Sequence, residues 1–186
     1  MLNTPSKILV LDGGMGRELA RIGAPFRQPE WSALALIEGP DFVRRAHDAF
    51  IAAGADVITT NSYAVVPFHL GAERFAREGR ALADRAGRIA REAAMASKRP
   101  VKVAGSLPPL FGSYRPDLFR ESEAAALADT LIAGLAPHVD FWLAETQGSI
   151  AEAIALRRAL RENGGGKPFW ISFTLEDGKG AEAAPR

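Results

Sequence analysis

The stretch Ile8–Arg17 reads ILVLDGGMGR, and how it is read decides the fold. Four apolar residues, Ile8 to Leu11, run directly into Asp12, two glycines, Met15 and Gly16. A short, uninterrupted apolar run of this kind predicts a strand buried on both faces. The glycines let the backbone turn sharply and bring its N–H groups close to something small. Asp12 then sits at the C-terminal end of the strand, where α/β folds place their chemistry. The same residues also suit a plain turn, because D-G and G-G are turn dipeptides and an Asp side chain can bond its own backbone.

Downstream, strands and helices alternate. Glu18–Gly39 reads as a long loop with at most one helical turn. Gly39-Pro40-Asp41 starts a helix, with proline at the first helical position and an acid in the first turn; Gly54 ends it. DVITT (56–60) is a second strand, running into Asn61, Ser62 and Tyr63. A long helix follows within 71–97, with Phe75, Leu82, Ala86, Ile89 and Ala93 as its buried stripe. VKVAGS (101–106) is the third strand, 122–136 the next helix, and VDFWLAE (139–145) the fourth strand. Ser149 with Glu152 has capping-box spacing for a helix whose inner side carries Ile150, Ile154 and Leu160. FWISFT (169–174) is the fifth strand. Such alternation predicts a parallel sheet with helical crossovers. An open doubly wound sheet and a (β/α)8 barrel both fit. Against the first stands the lack of a G-x-G-x-x-G helix opening, with the helix after DGGMG delayed by a loop. Against the second stands the count, since a barrel needs about eight strands.

Bulk properties exclude several classes. The chain has 186 residues, 47% hydrophobic and 24% charged, with a net charge of +1. That balance fits a globular domain and supplies no electrostatic footprint for nucleic acid or an anionic membrane. The opening MLNTPSK lacks a secretory signal pattern, and no apolar run nears the roughly 20 residues needed to span a bilayer. The cytoplasm is the expected compartment. There is no cysteine, so neither disulfides nor thiolate metal ligands can form within the chain.

Parallel strands bring their C-terminal ends to one face. There they supply Asp12, Thr60 with Asn61, Ser106, and Glu145 with Thr146. Two carboxylates, several hydroxyls and glycine backbone suit a zwitterion such as an amino acid. Asp12 and Glu145 can hold an ammonium group through charge-assisted bonds, and the N–H groups of Gly13 and Gly14 can cradle its carboxylate. Taken singly, Asp12 also reads as a turn residue, Glu145 as a helix cap and Thr60 as a strand former. Trp31 reads equally as a pocket wall or a plug for the mouth. His47, His69 and His138 form no catalytic triad or metal spacing and read as locally structural.

DGGMGREL, PEWS, GADVITTNSY, AGSLPP, YRPD, VDFWLAET and PFWISFTLEDG occur in this order between residues 8 and 178. Together they resemble the homocysteine S-methyltransferase family. The resemblance implies a TIM barrel with about five of its eight strands in this chain. It implies methyl transfer to the sulfur of homocysteine from S-methylmethionine, S-adenosylmethionine, betaine or a related donor, giving methionine. It makes Asp12 and Glu145 the acids that hold the substrate amino group, with Gly13 and Thr60 at its amino-acid end and Trp31 on the donor side. It also implies Zn²⁺ held by three cysteines, which turns the thiol into a thiolate. This chain has none of those ligands. The expectation is therefore the N-terminal part of such a domain over 1–178, followed by a disordered polar tail over 179–186. It keeps the amino-acid end of the site and lacks the metal end, and no catalytic residue is assigned. A fragment that only binds an amino acid or partner chain, or a barrel acting on another amino or keto acid, are the competing expectations. The first and fifth strands would be open edges prone to self-association.

Overall fold

Four strands, β1 (Val57–Thr59), β2 (Lys102–Leu107), β3 (Phe141–Gln147) and β4 (Phe169–Phe173), pair in parallel in their order along the chain. The structure is a computed structural model and describes residues 8–175; the expected domain limit at 178 and the tail over 179–186 lie outside these. A doubly wound sheet reverses its strand order at a switch point, whereas a barrel winds in one direction. The unreversed order therefore selects the barrel type, here as an open sheet. The expected first strand is reduced to a single bridge, Leu11 to Val57. Its backbone is still bonded to β1: Asp12 N–H donates to Val57 O at 3.0 Å and Val57 N–H to Val10 O at 3.1 Å. Ile8 to Leu11 are exposed rather than buried on both faces. Among the described residues no strand pairs with their other side.

The helices are α1 (Met15–Arg21), α2 (Ser32–Glu38), α3 (Pro40–Ala52), α4 (Pro67–Leu70), α5 (Ala72–Ala96), α6 (Glu121–Leu135) and α7 (Ile150–Asn163). Two of them correct the expected loop over 18–39. Met15, Leu19 and Ile22 recur at helical spacing, so α1 opens directly after Gly14, with Leu19 wholly buried. In α7 the Ser149 hydroxyl accepts the Glu152 N–H at 3.1 Å, as its spacing predicts. The inner face of α7 is Ala153, Leu156, Ala159 and Leu160; Ile150 and Ile154 are 58% and 45% exposed. The alanines, small enough for close approach, mark the packed face better than the isoleucines do.

Successive side chains of a strand point to opposite faces. Ile58, Val103, Leu107, Trp142 and Ala144 join the large core beneath the helices, while Val57, Ala104, Phe141 and Leu143 form a separate inner cluster. Helices α3, α5, α6 and α7 pack in succession over the outer face. At Gly134 a Cβ would come within 2.6 Å of the Arg80 carbonyl oxygen, so α5 and α6 meet backbone to backbone. At the N-terminal end of the sheet, Asp140 accepts the Val103 N–H at 2.7 Å and Asp56 the Val10 N–H at 3.2 Å. Each acid thus clasps the preceding strand, far from the end where Asp12 lies. No helix among the described residues is long and apolar enough to cross a membrane.

His47 of α3 is fully buried, and neither ring nitrogen has a hydrogen-bond partner. Burial, helped by the nearby Arg44 charge, pushes its pKa down to about 3. Its folded pKa lies below the unfolded value, so the unfolded chain binds the extra proton and stability falls as pH drops below about 6.5. His47→Leu removes two orphaned polar atoms and is expected to stabilise the fold by about 1–3 kcal/mol at pH 7. The gain should widen at pH 5. Urea unfolding at both pH values checks this; a smaller gain at pH 5 contradicts it.

Candidate functional site

A cleft of about 920 Å³ opens at the C-terminal ends of the strands. Asp12, Gly13, Gly14, Trp31, Thr60, Asn61 and Glu145 all line it, although they are scattered over 134 positions of the chain from 12 to 145. Parallel pairing is what gathers them.

Asp12 is fixed by a residue that sequence reading passed over. Thr59 donates its N–H to Asp12 Oδ2 at 2.7 Å and its hydroxyl to Oδ1 at 2.9 Å. Burial lifts the Asp12 carboxyl to about pKa 6, against the downward pull of the Thr59 bonds. Glu145, near the end of β3, accepts a hydrogen bond from the Ser106 hydroxyl on β2. Burial raises its pKa, the Ser106 bond opposes this, and the Asp12 charge raises it further. Two carboxylates thus line one cleft, and the charge of Asp12 disfavours the ionised form of Glu145. An ammonium group relieves that tension.

Thr60 has a different environment from Thr59. The Ser106 N–H donates to Thr60 Oγ1 at 3.0 Å, and the Ser62 hydroxyl donates to Ser106 O at 2.9 Å. Ser62 has then spent its only hydrogen, so the 2.9 Å bond between the hydroxyls runs from Thr60 to Ser62. This closed ring ties the turn after β1 to β2 and commits the Thr60 hydroxyl. Asn61 donates its amide to Ser32 O at 3.0 Å and anchors the start of α2. Alternation from Val57 was the available signal: it puts Thr59, not Thr60, on the inner face.

Aromatic residues form the remaining wall. Trp31 meets Phe26 edge to face at 5.6 Å, and Tyr63, Phe68 and Tyr114 line the same cleft. The Tyr63 hydroxyl bonds Ser113 at 2.7 Å. Trp31, Tyr114 and Thr146 have φ of 49°, 61° and 59°, and among the described residues no other non-glycine residue has a positive φ. Such conformations cost about 1–3 kcal/mol each and gather at functional sites. All three border this cleft. His69, expected in a loop with a local role, lies in α4 and also lines it; its Nδ1 bonds Pro29 O at 2.8 Å. His138 bonds Asp84 at 2.8 Å away from the cleft.

The residues do not fit a zinc site. The sequence has no cysteine, and among the described residues no three His, Cys, Asp or Glu side chains are grouped to hold a metal ion. No step below is routed through a metal.

Carboxyl-detected NMR titration is expected to give Asp12 a midpoint near 6 and Glu145 a raised one. In Ser106→Ala the Glu145 midpoint should rise further, since the bond that favours its ionised form is gone. The folded Asp12 pKa lies above its unfolded value, so its contribution to stability declines as pH rises from about 4 to about 6. An ordinary Asp12 midpoint near 4 contradicts this geometry.

Comparison with known proteins agrees with these features. The family model for homocysteine S-methyltransferase matches residues 9–184. A selenocysteine methyltransferase from Astragalus bisulcatus is 32% identical over 95% of this chain and 61% of its own length. Homocysteine S-methyltransferase 4 of Zea mays is 32% identical over 92% of the chain and 57% of its own length. The chain therefore spans about three fifths of these relatives. Among solved structures, the metallated form of the homocysteine methyltransferase MmuM from Escherichia coli superposes with a TM-score of 0.80 at 30% identity. That match covers 93% of this chain and 65% of MmuM. A match over nearly the whole chain, on the same barrel-type sheet, establishes the descent: this chain belongs to the homocysteine S-methyltransferase family.

Proposed function

We propose that this chain forms the amino-acid-binding side of a homocysteine methyltransferase site. The observation that carries this reading is the pair Asp12 and Glu145, two hydroxyl-braced carboxyls whose pKa values are raised in one cleft. They receive the ammonium of homocysteine, and the backbone around Gly13 and Gly14 receives its carboxylate. Thr60 and Asn61 back the pocket, and Trp31 belongs to the donor side.

Methyl transfer is a displacement in which the sulfur lone pair attacks the methyl carbon while the carbon–onium bond breaks. The donor leaves as a neutral thioether or amine. Phe26, Trp31, Tyr63, Phe68 and Tyr114 support an onium donor, since aromatic faces attract cations and exclude water. Zinc in the family makes the thiolate; these residues do not form its site, so this chain's part is binding and orientation. A free thiol substrate favours the reducing cytoplasm as the compartment.

Calorimetry with L-homocysteine under reducing conditions tests the reading. Binding should weaken below about pH 6, as Asp12 gains a proton, and level off above pH 7. Asp12→Asn and Glu145→Gln should each cost about 10–100-fold, the worth of a charge-assisted bond. Binding that is equal at pH 5 and pH 7 and survives both substitutions defeats it.

We also propose self-association through the outer strands. Val10, Leu11, Trp170, Ile171 and Phe173 are exposed there, along sheet edges that no further strand pairs with among the described residues. Light scattering coupled to size-exclusion chromatography should give a mass above 19.9 kDa that rises with concentration. A monomer that melts cooperatively at all concentrations opposes this.

A further inference from the structure

Ser149 and Glu152 stand at capping-box spacing, a motif in which the acid bonds back to the N–H of the cap residue. Here the acid also reaches a distant segment. Glu152 is only 3% exposed, and its Oε1 accepts the Leu110 N–H at 2.7 Å, from 42 positions earlier in the chain. Burial raises its pKa, and the Leu110 bond opposes this. Capping α7 needs no acid at such depth.

Leu110 opens a segment that forms part of the cleft rim. β2 ends at Leu107, and Pro108 and Pro109 have no N–H, so Leu110 is the first backbone donor after the strand. Leu110 and Phe111 are buried, and the next three residues, Gly112, Ser113 and Tyr114, line the cleft. Ser113 meets the Tyr63 hydroxyl at 2.7 Å, and Tyr114 holds its left-handed φ of 61°. Phe111 packs edge to face on Phe119 at 5.8 Å between centroids, an apolar contact that fixes depth and tolerates sliding. The Leu110 hydrogen bond is directional and does not. Without the Glu152 carboxyl, a buried N–H is orphaned, which is costly. It regains a partner when the segment moves toward water, carrying Ser113 and Tyr114 with it.

Taking its ligands from the function proposed above, we propose that Glu152 is a positioning residue of the cleft. By holding the Leu110 N–H it sets the register in which Ser113 reaches Tyr63 and Tyr114 joins the aromatic wall. The acid side is independent of it, because Asp12 and Glu145 are braced by Thr59 and Ser106, outside this segment.

The chain has two tyrosines and both line the cleft, so tyrosine ring NMR signals report on this rim alone. In the full 186-residue chain, a scalar coupling between Leu110 ¹⁵N and Glu152 ¹³Cδ should appear across the hydrogen bond. Glu152→Leu should displace both tyrosine signals. It should weaken trimethylsulfonium, used as a probe of the aromatic wall, about three- to tenfold, the worth of one cation–π contact. L-homocysteine affinity should stay within about twofold, which also reports an intact fold. Glu152→Gln, which keeps an oxygen acceptor, should restore both readouts. Unmoved tyrosine signals in Glu152→Leu, equal weakening of both ligands, a Gln variant as impaired as the Leu variant, or an absent coupling each overturn the assignment. Should Glu152→Leu fail to fold, Glu152→Asp decides instead: one methylene short of Leu110, it should displace the same two signals, and unmoved signals overturn the assignment. If L-homocysteine does not bind the unsubstituted chain but the tyrosine signals respond, the proposed function falls and the Glu152 assignment stands. If L-homocysteine binds and the signals do not respond, only the Glu152 assignment falls.

Discussion

The site depends on a carboxylate held out of water. Asp12 follows a segment with only one bridge to the sheet, yet its two oxygens are taken up by the N–H and hydroxyl of Thr59 on β1. Those bonds tie the opening segment to β1 above the bridge, and they aim the acid into the cleft. Burial makes the carboxylate costly when ionised, and its charge in turn raises the pKa of Glu145 in the same cleft. A site prepared in this way is unfavourable when empty and gains by taking up a cation.

The surroundings store further strain. Trp31, Tyr114 and Thr146 hold left-handed backbone conformations at three separate points on the rim. Thr146 is β-branched, for which such a φ is a real outlier, and it directly follows Glu145. Neighbouring bonds hold the rim in place: Asn61 to Ser32 beside Trp31, and Tyr63 to Ser113 beside Tyr114. The opposite end of the sheet has another character. There Asp56 and Asp140 clasp the N–H groups of the preceding strands, and Arg99 and Arg91 pair with them. One end of the sheet serves stability and the other holds the strained, polar cleft.

Much of the site was legible because strand ends are. Asp12 and Glu145 each close an apolar run, and parallel winding forces such residues onto one face. Thr59 was missed because two adjacent threonines look alike in sequence, while only one side of the pleat faces the acid. The α1 and α2 helices were missed because each is seven residues long, too short for periodicity to stand out against Pro25, Pro29 and the glycines. His69 read as a loop residue because a four-residue helix leaves no periodic trace.

By itself the sequence determined the parallel α/β class, the winding of helices between strands, the family and the two acids that line the cleft. Each of these follows from local periodicity or from the order of motifs, which a linear chain carries directly. Tertiary structure decided between a reversed and an unreversed strand order, between Thr59 and Thr60 as the partner of Asp12, and which histidine reaches the cleft. It also decided that Ile8 to Leu11 lie exposed at the edge. These depend on which surfaces meet across 40 or more residues, as Asp12 and Thr59 do over 47. No local pattern specifies such a meeting.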